Sequence, residues 1–196
     1  MDFEKREVVL KVIAVLDQLG ITYLIAGSFA SAMYGLARST NDADLVAEVR
    51  PEQVSGLFRA LEPDFYVNEK SIERAVETGR HFNVIDSDTQ FKVDVFTPRP
   101  GGFAAKELAR RQEKEFGTGS SHTAFFASPE DTVLAKLEWY RRGNEVSEQQ
   151  WRDVLTVLKV QRGRLDLKYM RQSAVELGVA DLLEDGLAEA AALWES

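Results

Sequence analysis

Two aspartates separated by one alanine are the first residues of this sequence whose spacing suggests chemistry. Asp42 and Asp44 begin an apolar segment that stops at Arg50-Pro51, a pattern that predicts a β-strand. Because side chains alternate along a strand, both carboxylates lie on one face and Ala43 lies on the other. Like charges so placed need a compensating cation or hydrogen-bond donors, and Mg²⁺ binds carboxylate oxygens. The pair alone is also typical of a structural or turn-capping role.

A third acid, Asp94, lies in a second β-rich segment, from Phe91 to Phe96. The apolar residues of that segment define one face, which leaves Asp94 on the opposite face with Lys92. If this strand lies beside the strand from Asp42 to Val49, three carboxylates converge and can hold two magnesium ions. The alternative for Asp94 is a salt bridge to a neighbouring base, for which the candidates are Lys92, Arg80 and Arg99.

Gly27 and Ser28 stand between an apolar run, Ile21 to Ala26, and a segment of helical pattern, Phe29 to Tyr34. A turn into a helix exposes unpaired backbone N–H groups at the positive end of the helix dipole, where phosphate oxygens bind. Glycine permits close approach of the backbone, and the serine hydroxyl adds a donor. An isolated Gly-Ser is usually only a turn. Phosphate binding is predicted here because the pair follows a strand, opens a helix and precedes an acidic strand.

The segment from Ala26 to Leu45 resembles the signature of the nucleotidyltransferase superfamily related to DNA polymerase beta. In that family a Gly-Gly or Gly-Ser pair precedes Asp-x-Asp or Asp-x-Glu by about a dozen residues, and here thirteen residues separate Ser28 from Asp42. The resemblance spans residues 20 to 175. It implies transfer of a nucleoside monophosphate from a nucleoside triphosphate to an acceptor hydroxyl, with Asp42, Asp44 and Asp94 as the catalytic and metal-binding acids.

The pattern Arg38-x-Thr40-x-Asp42-x-Asp44 further resembles small bacterial nucleotidyltransferases, including AbiEii-like toxins of toxin-antitoxin systems and antibiotic nucleotidyltransferases. The later segments Ser128 to Leu137 and Trp151 to Leu155 look like the helical half of the toxin branch. This resemblance implies that Lys136 neutralises triphosphate charge and that Asp153 orients the triphosphate or helps to activate the acceptor. An exposed helix lysine and an ordinary helix salt bridge are the alternatives. Arg38 either clamps phosphate or pins its loop to Asp42 or Asp44.

Cofactors and partners follow from the same resemblance. It implies two Mg²⁺ ions, for which Mn²⁺ can substitute, and a nucleoside triphosphate held by Gly27, Ser28, Arg38, Lys136 and Asp153. The implied acceptors are, in decreasing order, the 3′ end of a tRNA, a protein hydroxyl and a small molecule such as an antibiotic. A cognate antitoxin is a further possible partner. Two other functions stay open, a noncatalytic nucleotide-binding or antitoxin-like protein and a plain divalent-cation module.

The fold class predicted from these segments is α+β, a mixed β-sheet flanked by helices in the manner of a nucleotidyltransferase, followed by a C-terminal helical bundle. The loop Asp86 to Thr89 predicts a hairpin. Ser128-Pro129-Glu130-Asp131 marks a helix start, and three or four helices follow it, at about 129–142, 147–160, 166–177 and 180–194. We therefore expect a catalytic domain over residues 1–127 and a helical domain over 128–196.

Composition limits the other classes of function. With no cysteine and two histidines in 196 residues, a metal site must be built from oxygen ligands. A net charge of −8 argues against nonspecific coating of nucleic acid, although residues 136–171 carry nine Lys or Arg against five Asp or Glu. No apolar run is long enough to span a membrane, and we expect a cytoplasmic protein. The isolated histidines His81 and His122 receive no site role. The helix aromatics Trp139, Tyr140 and Trp151 could stack a base, although aromatics on amphipathic helices more often pack in a core.

Overall fold

A computed structural model describes residues 3–36, 39–116 and 122–195. Its helices are α1 (Phe3–Gln18), α2 (Gly27–Tyr34), α3 (Val54–Leu61), α4 (Glu69–Thr78), α5 (Gly102–Arg110), α6 (Pro129–Arg142), α7 (Glu148–Val160), α8 (Leu167–Leu177) and α9 (Ala180–Glu195). Its strands are β1 (Tyr23–Ile25), β2 (Asp42–Ala47), β3 (Phe65–Tyr66), β4 (His81–Asp86), β5 (Lys92–Phe96), β6 (Gln112–Glu115) and β7 (Thr123–Phe126). None of the helices within these residues is long and apolar enough to cross a membrane.

The chain divides into two compact units. Unit 1 comprises Met1–Ala26 and Ser39–Phe126, and unit 2 comprises Gly27–Arg38 and Ala127–Ser196. All the described strands belong to unit 1, whereas α2 joins the four C-terminal helices in unit 2. The predicted α+β class, with a mixed sheet and C-terminal helices, is confirmed.

Unit 1 is built on a sheet whose strands, within the described residues, follow the order β3-β4-β5-β2-β1-β7-β6. Strand β2 is antiparallel to β1 and parallel to β5, and β4 and β5 form the predicted antiparallel hairpin. Alternation along β2 and β5 buries one face completely, through Ala43, Leu45, Val93 and Val95. Burial of these apolar side chains fixes the register, because a shift by one residue would place the acids in the core.

Unit 2 is a helical assembly in which α6 contacts α7, α8 and α9. Helix α6 begins as predicted: the Ser128 hydroxyl accepts a hydrogen bond from the backbone N–H of Asp131, and Pro129 opens the first turn. Helix α2 packs on α6 and α7. The close approach needs a glycine, because a Cβ at Gly35 would lie 2.9 Å from the hydroxyl oxygen of Thr156.

Several elements have no counterpart in the sequence predictions. These are the two-residue strand β3, the helix α4, and the strands β6 and β7 at one edge of the sheet. Helix α4 buries only Ile72 and Ala75, and β6 reads Gln-Glu-Lys-Glu. Strand β6 therefore lacks the apolar periodicity from which strands are predicted, whereas α4 does carry helix signals that the sequence predictions did not use: Ile72 and Ala75 three residues apart, the capping Asn68 before it and Gly79 after it.

Candidate active site

The aspartates predicted on two separate strands meet on one face of the sheet. In the parallel pairing of β2 with β5, Asp44 lies directly opposite Asp94, and Asp42 lies opposite Lys92. Residues that pair in register point to the same face, so the three carboxylates and the lysine form one polar surface in unit 1. We call these four residues, Asp42, Asp44, Lys92 and Asp94, the carboxylate face.

Lys92 neutralises part of this negative charge. Its ammonium Nζ lies 2.7 Å from Oδ2 of Asp94 and 3.8 Å from Oδ2 of Asp42. The hydrogen bond to Asp94 raises the pKa of Lys92 above its usual range, although partial burial opposes the shift. The negative charges of Asp94, Asp42 and Asp44 act in the same direction as the hydrogen bond. The salt bridge considered as an alternative for Asp94 is therefore present.

Asn83 is a member of this site that the sequence analysis did not single out. It lies opposite Asp94 in the β4–β5 hairpin, and its side-chain amide donates a hydrogen bond to Oδ1 of Asp94. The signal was available in the sequence, because Asn83 alternates with the buried Phe82 and Val84 and so belongs to the opposite face of its strand. The amide fixes the orientation of a carboxylate that is itself 9% exposed.

The ligand chemistry of the carboxylate face suits a hard divalent cation, because all three acids offer oxygen. Their present arrangement is not a closed metal cage. Over residues 3–36, 39–116 and 122–195, no three His, Cys, Asp or Glu side chains are grouped so that they could hold a metal ion. The hydroxyl of Thr40 donates to Oδ1 of Asp42 at 3.2 Å, so this acid also has a hydrogen-bond partner.

Gly27 and Ser28 are the first two residues of α2, in unit 2. The backbone of Gly27 has φ of +56°, in the left-handed region that favours glycine. Ala26, the residue before it, still belongs to unit 1 and donates its N–H to the carbonyl of Asp44 at 2.8 Å. The predicted strand, tight turn and helix are thus present. The backbone N–H groups of this first helical turn are the ones suited to an anion.

Lys136 and Asp153 form a buried ion pair between α6 and α7 of unit 2. Nζ of Lys136 lies 2.8 Å from Oδ2 of Asp153, and both side chains are less than 10% exposed. The side-chain carbonyl of Gln150 accepts a further hydrogen bond from Lys136 at 3.1 Å. The exposed-lysine alternative is wrong, because the Lys136 side chain is buried, and the other alternative, a salt bridge between helix residues, is present.

A second buried acid of unit 2 was not predicted as functional, and its contacts are structural. Asp131 accepts hydrogen bonds from the hydroxyls of Ser128, at 2.7 Å, and Tyr169, at 2.6 Å. The carboxylate therefore ties the start of α6 to α8. Its neighbour Glu130 accepts the backbone N–H of Asp166, at the start of α8.

Arg38 and the helix aromatics are the other residues that the sequence brought into consideration. Arg38 lies outside the described residues. Tyr140 and Trp151 pack ring to ring at 5.4 Å, and the indole N–H of Trp151 donates to Glu189, which supports a role in packing. Trp139 is half exposed and lies beneath the Arg142 guanidinium. The site residues thus fall into a carboxylate face in unit 1 and, in unit 2, the start of α2 and the buried pair.

The fold is that of the nucleotidyltransferases, as comparison with solved structures shows. The chain matches an antigenic nucleotidyltransferase-like protein from Paracoccidioides brasiliensis with a TM-score of 0.56 and 18% identity, over 96% of this chain and 94% of that one. It matches the antibiotic-resistance factor ANT(2″)-Ia with a TM-score of 0.54 and 13% identity, over 100% and 95% of the two chains. The lincomycin-bound lincosamide antibiotic adenylyltransferase LnuA gives a TM-score of 0.54 and 9% identity, over 82% and 98%.

Another structure of ANT(2″)-Ia, in complex with adenylyl-2″-tobramycin, matches with a TM-score of 0.54 and 16% identity over 97% of this chain and 99% of that one. The sequence matches no protein-family model and no curated protein. At these identities the likeness is one of fold.

Proposed function

We propose that this protein is a magnesium-dependent nucleotidyltransferase that moves a nucleoside monophosphate from a nucleoside triphosphate to an acceptor hydroxyl. The observation that carries the proposal is the register of β2 and β5, which sets Asp44 opposite Asp94 with Asp42 on the same face. A fold of the nucleotidyltransferase type with three carboxylates on adjacent strands suits phosphoryl chemistry, in which positioning and charge neutralisation do most of the catalytic work.

Asp42, Asp44 and Asp94 are the residues that would hold the metal. Bound Mg²⁺ would supply charge neutralisation on the transferred phosphate and acidify the attacking hydroxyl. In the reaction, the acceptor oxygen forms a bond to the α-phosphorus and the bond to the bridging oxygen of the β-phosphate breaks, so that pyrophosphate leaves. Asp94 is either a metal ligand or the group that takes the hydroxyl proton.

The residues of unit 2 are proposed to bind the triphosphate. The N–H groups at the start of α2 and the Ser28 hydroxyl suit the outer phosphates. Lys136, held by Asp153, supplies a cation that neutralises phosphate charge, and Asp153 orients that cation. A role for Arg38 as a phosphate clamp rests on the resemblance of its sequence motif alone.

For the acceptor, the resemblance to AbiEii-like toxins implies the 3′ end of a tRNA or a protein hydroxyl, with a cognate antitoxin as partner. A second candidate is a small-molecule acceptor, because the structural neighbours include a lincosamide adenylyltransferase and an enzyme bound to adenylylated tobramycin. The charges of unit 2 favour the second candidate. Several of its basic side chains on the surface are engaged by acids rather than presented to a polyanion, namely Arg141, Arg142 and Arg171.

The test is transfer of label from each of four α-labelled nucleoside triphosphates, with Mg²⁺, into total tRNA, lysate protein and a panel of hydroxylated antibiotics. The negative control is Asp42→Asn/Asp44→Asn, and Asp64→Asn is the matched control for loss of one exposed acid in the same unit. The proposal expects label in one acceptor class that vanishes in the double variant and persists in Asp64→Asn.

The acceptor class that takes up label distinguishes a tRNA or protein acceptor from a small-molecule acceptor. Label that persists in the double variant would mean that the carboxylate face is not the catalytic centre. Magnesium-dependent binding of triphosphate without transfer to any acceptor would instead support a noncatalytic nucleotide-binding protein, and the nucleotidyltransferase proposal would fail.

A further inference from the structure

Each carboxylate oxygen of Asp94 accepts a hydrogen bond from a side chain. Its Oδ1 accepts the amide of Asn83 and its Oδ2 accepts the ammonium of Lys92, at 2.7 Å for the latter. The same ammonium lies 3.8 Å from Oδ2 of Asp42. A single positive charge of the chain therefore lies between two of the three acids of the carboxylate face, where an incoming cation would need to bind.

We propose that Lys92 is an internal cation that competes with the divalent metal for the carboxylate face and must leave Asp94 before the metal binds. The inference rests on the proposed function only in taking Asp42, Asp44 and Asp94 as metal ligands. Lys92 would thus set the affinity of the carboxylate face for Mg²⁺, and with it the Mg²⁺ concentration at which the metal binds.

The competition has both a steric and an electrostatic cause. A Mg²⁺ ion held by both Asp42 and Asp94 would need oxygens of each at about 2.0–2.1 Å. It would therefore occupy the space between the two carboxylates in which the Lys92 ammonium lies, 2.7 Å from Oδ2 of Asp94 and 3.8 Å from Oδ2 of Asp42. Two cations on the same carboxylates also repel one another. The exchange is nevertheless feasible, because the Lys92 side chain is 39% exposed and its flexible four-carbon stem can carry the ammonium into solvent.

The register of β2 and β5 explains why Lys92 contacts both Asp42 and Asp94. The lysine lies opposite Asp42 on the neighbouring strand and two residues before Asp94 on its own strand, so that it shares a face with both acids. Removing its charge leaves the ligand oxygens in place and removes the competitor. A methionine keeps most of the apolar stem and should disturb β5 little.

The experiment measures metal affinity directly, without activity. Mn²⁺ is titrated into the purified protein, and free Mn²⁺ is followed by electron paramagnetic resonance for wild type, Lys92→Met, Lys92→Arg, Lys70→Met and Asp44→Asn. Lys70 is an exposed lysine of α4, so Lys70→Met removes the same net charge away from the carboxylate face. We expect Lys92→Met to bind Mn²⁺ about tenfold more tightly than wild type, the change expected from removing one adjacent charge. Lys92→Arg and Lys70→Met should bind as wild type does.

A second measurement observes the exchange in the unaltered protein. With ¹³C-labelled lysine, the ε-methylene resonance that disappears in Lys92→Met is assigned to Lys92, and it should shift as Mg²⁺ is added. The Lys70 resonance should not move.

The outcomes separate this inference from the proposed function. If wild type binds Mn²⁺, Asp44→Asn does not, and Lys92→Met binds with equal or lower affinity, Lys92 is not a competitor and the inference is overturned while the metal site stands. If no form binds Mn²⁺, or if Asp44→Asn binds as well as wild type, the metal site of the proposed function is itself wrong.

Discussion

Asp44 and Asp94 lie opposite each other on parallel strands β2 and β5, on the face of the sheet that does not pack into the apolar core. Two carboxylates in direct register destabilise a sheet unless their charge is compensated. The compensation found here is the ammonium of Lys92 and the amide of Asn83, both bound to Asp94. Substitutions at this pair should therefore affect both the stability of the sheet and the chemistry proposed for it.

Replacing Asp44 with asparagine should lower nucleotidyl transfer at least about a hundredfold, since it removes a charged ligand while keeping the size of the side chain. The free energy of unfolding should stay the same or increase, because a like charge opposite Asp94 is removed. Label transfer and urea denaturation measure the two effects, with Asp64→Asn as the control for charge. A variant that unfolds more easily and loses activity in proportion would assign Asp44 a structural role.

Breaking the buried Lys136–Asp153 ion pair of unit 2 should destabilise the protein. Lys136→Met deprives the buried Asp153 of its cation, and we expect a loss of about 3–5 kcal/mol in the free energy of unfolding. The double variant Lys136→Met/Asp153→Leu should recover most of that loss, because no buried charge is then left over. Chemical denaturation of the three forms provides the comparison.

The same double variant tests the proposed role of Lys136. If it folds normally but binds nucleoside triphosphate more weakly than wild type, the pair contributes to binding. Unchanged triphosphate affinity in the folded double variant would show that Lys136 and Asp153 serve the helical core alone.

The turn between β4 and β5 should give the protein a stability that depends on acid pH. Burial raises the pKa of Asp86, but hydrogen bonds from the backbone and hydroxyl of Thr89 and the charge of Lys11 outweigh it, and the net pKa is lowered. A lowered folded-state pKa means that the ionised form stabilises the fold above the unfolded pKa of about 3.9, and that this stability is lost as the pH falls through the folded value.

Asp86→Asn should therefore cost about 1.5–3 kcal/mol at pH 7, the usual value of hydrogen bonds to a charged group, and the gap to wild type should narrow below about pH 4. Urea denaturation between pH 3 and pH 7 measures the loss of unfolding free energy at neutral pH and its decrease in acid. Asp88→Asn, an exposed acid of the same turn, is the matched control. A gap that is constant with pH would show that the Asp86 charge does not contribute.

Two glycine-to-alanine substitutions should have opposite effects. At Gly35 the new methyl group would lie 2.9 Å from the Thr156 hydroxyl oxygen and 3.0 Å from the Ser31 carbonyl, which should destabilise the α2–α7 contact by about 1–3 kcal/mol. At Gly56, within α3, the nearest atom is a Leu19 methyl at 3.8 Å, and alanine should stabilise by about 0.5–1 kcal/mol. Thermal unfolding shows whether each variant is more or less stable than wild type. A stabilised Gly35→Ala would contradict the close packing of α2 on α7.

Much of the fold could be predicted from the sequence, because it depends on contacts between residues close in the chain. The helix α1, the four C-terminal helices and the β4–β5 hairpin all follow from apolar periodicity, capping residues and turn residues. The placing of Asp42 and Asp44 on one face is likewise local, since it needs only the alternation of a strand. The turn at Gly27-Ser28 into a helix was also predicted from local sequence, and Gly27 is the first residue of α2.

Other features depend on residues that are distant in the sequence and meet only when the chain folds. The parallel pairing that brings Asp94 opposite Asp44 joins strands separated by α3, α4 and the β4 strand, and no local pattern specifies its register. The burial of the Lys136–Asp153 pair depends on how α6 packs on α7. The edge strand β6 carries too little apolar pattern to be predicted, because its stability comes from pairing with β7 rather than from its own side chains. Helix α4 is different, since Asn68, Ile72, Ala75 and Gly79 mark it in the sequence, and it could have been predicted.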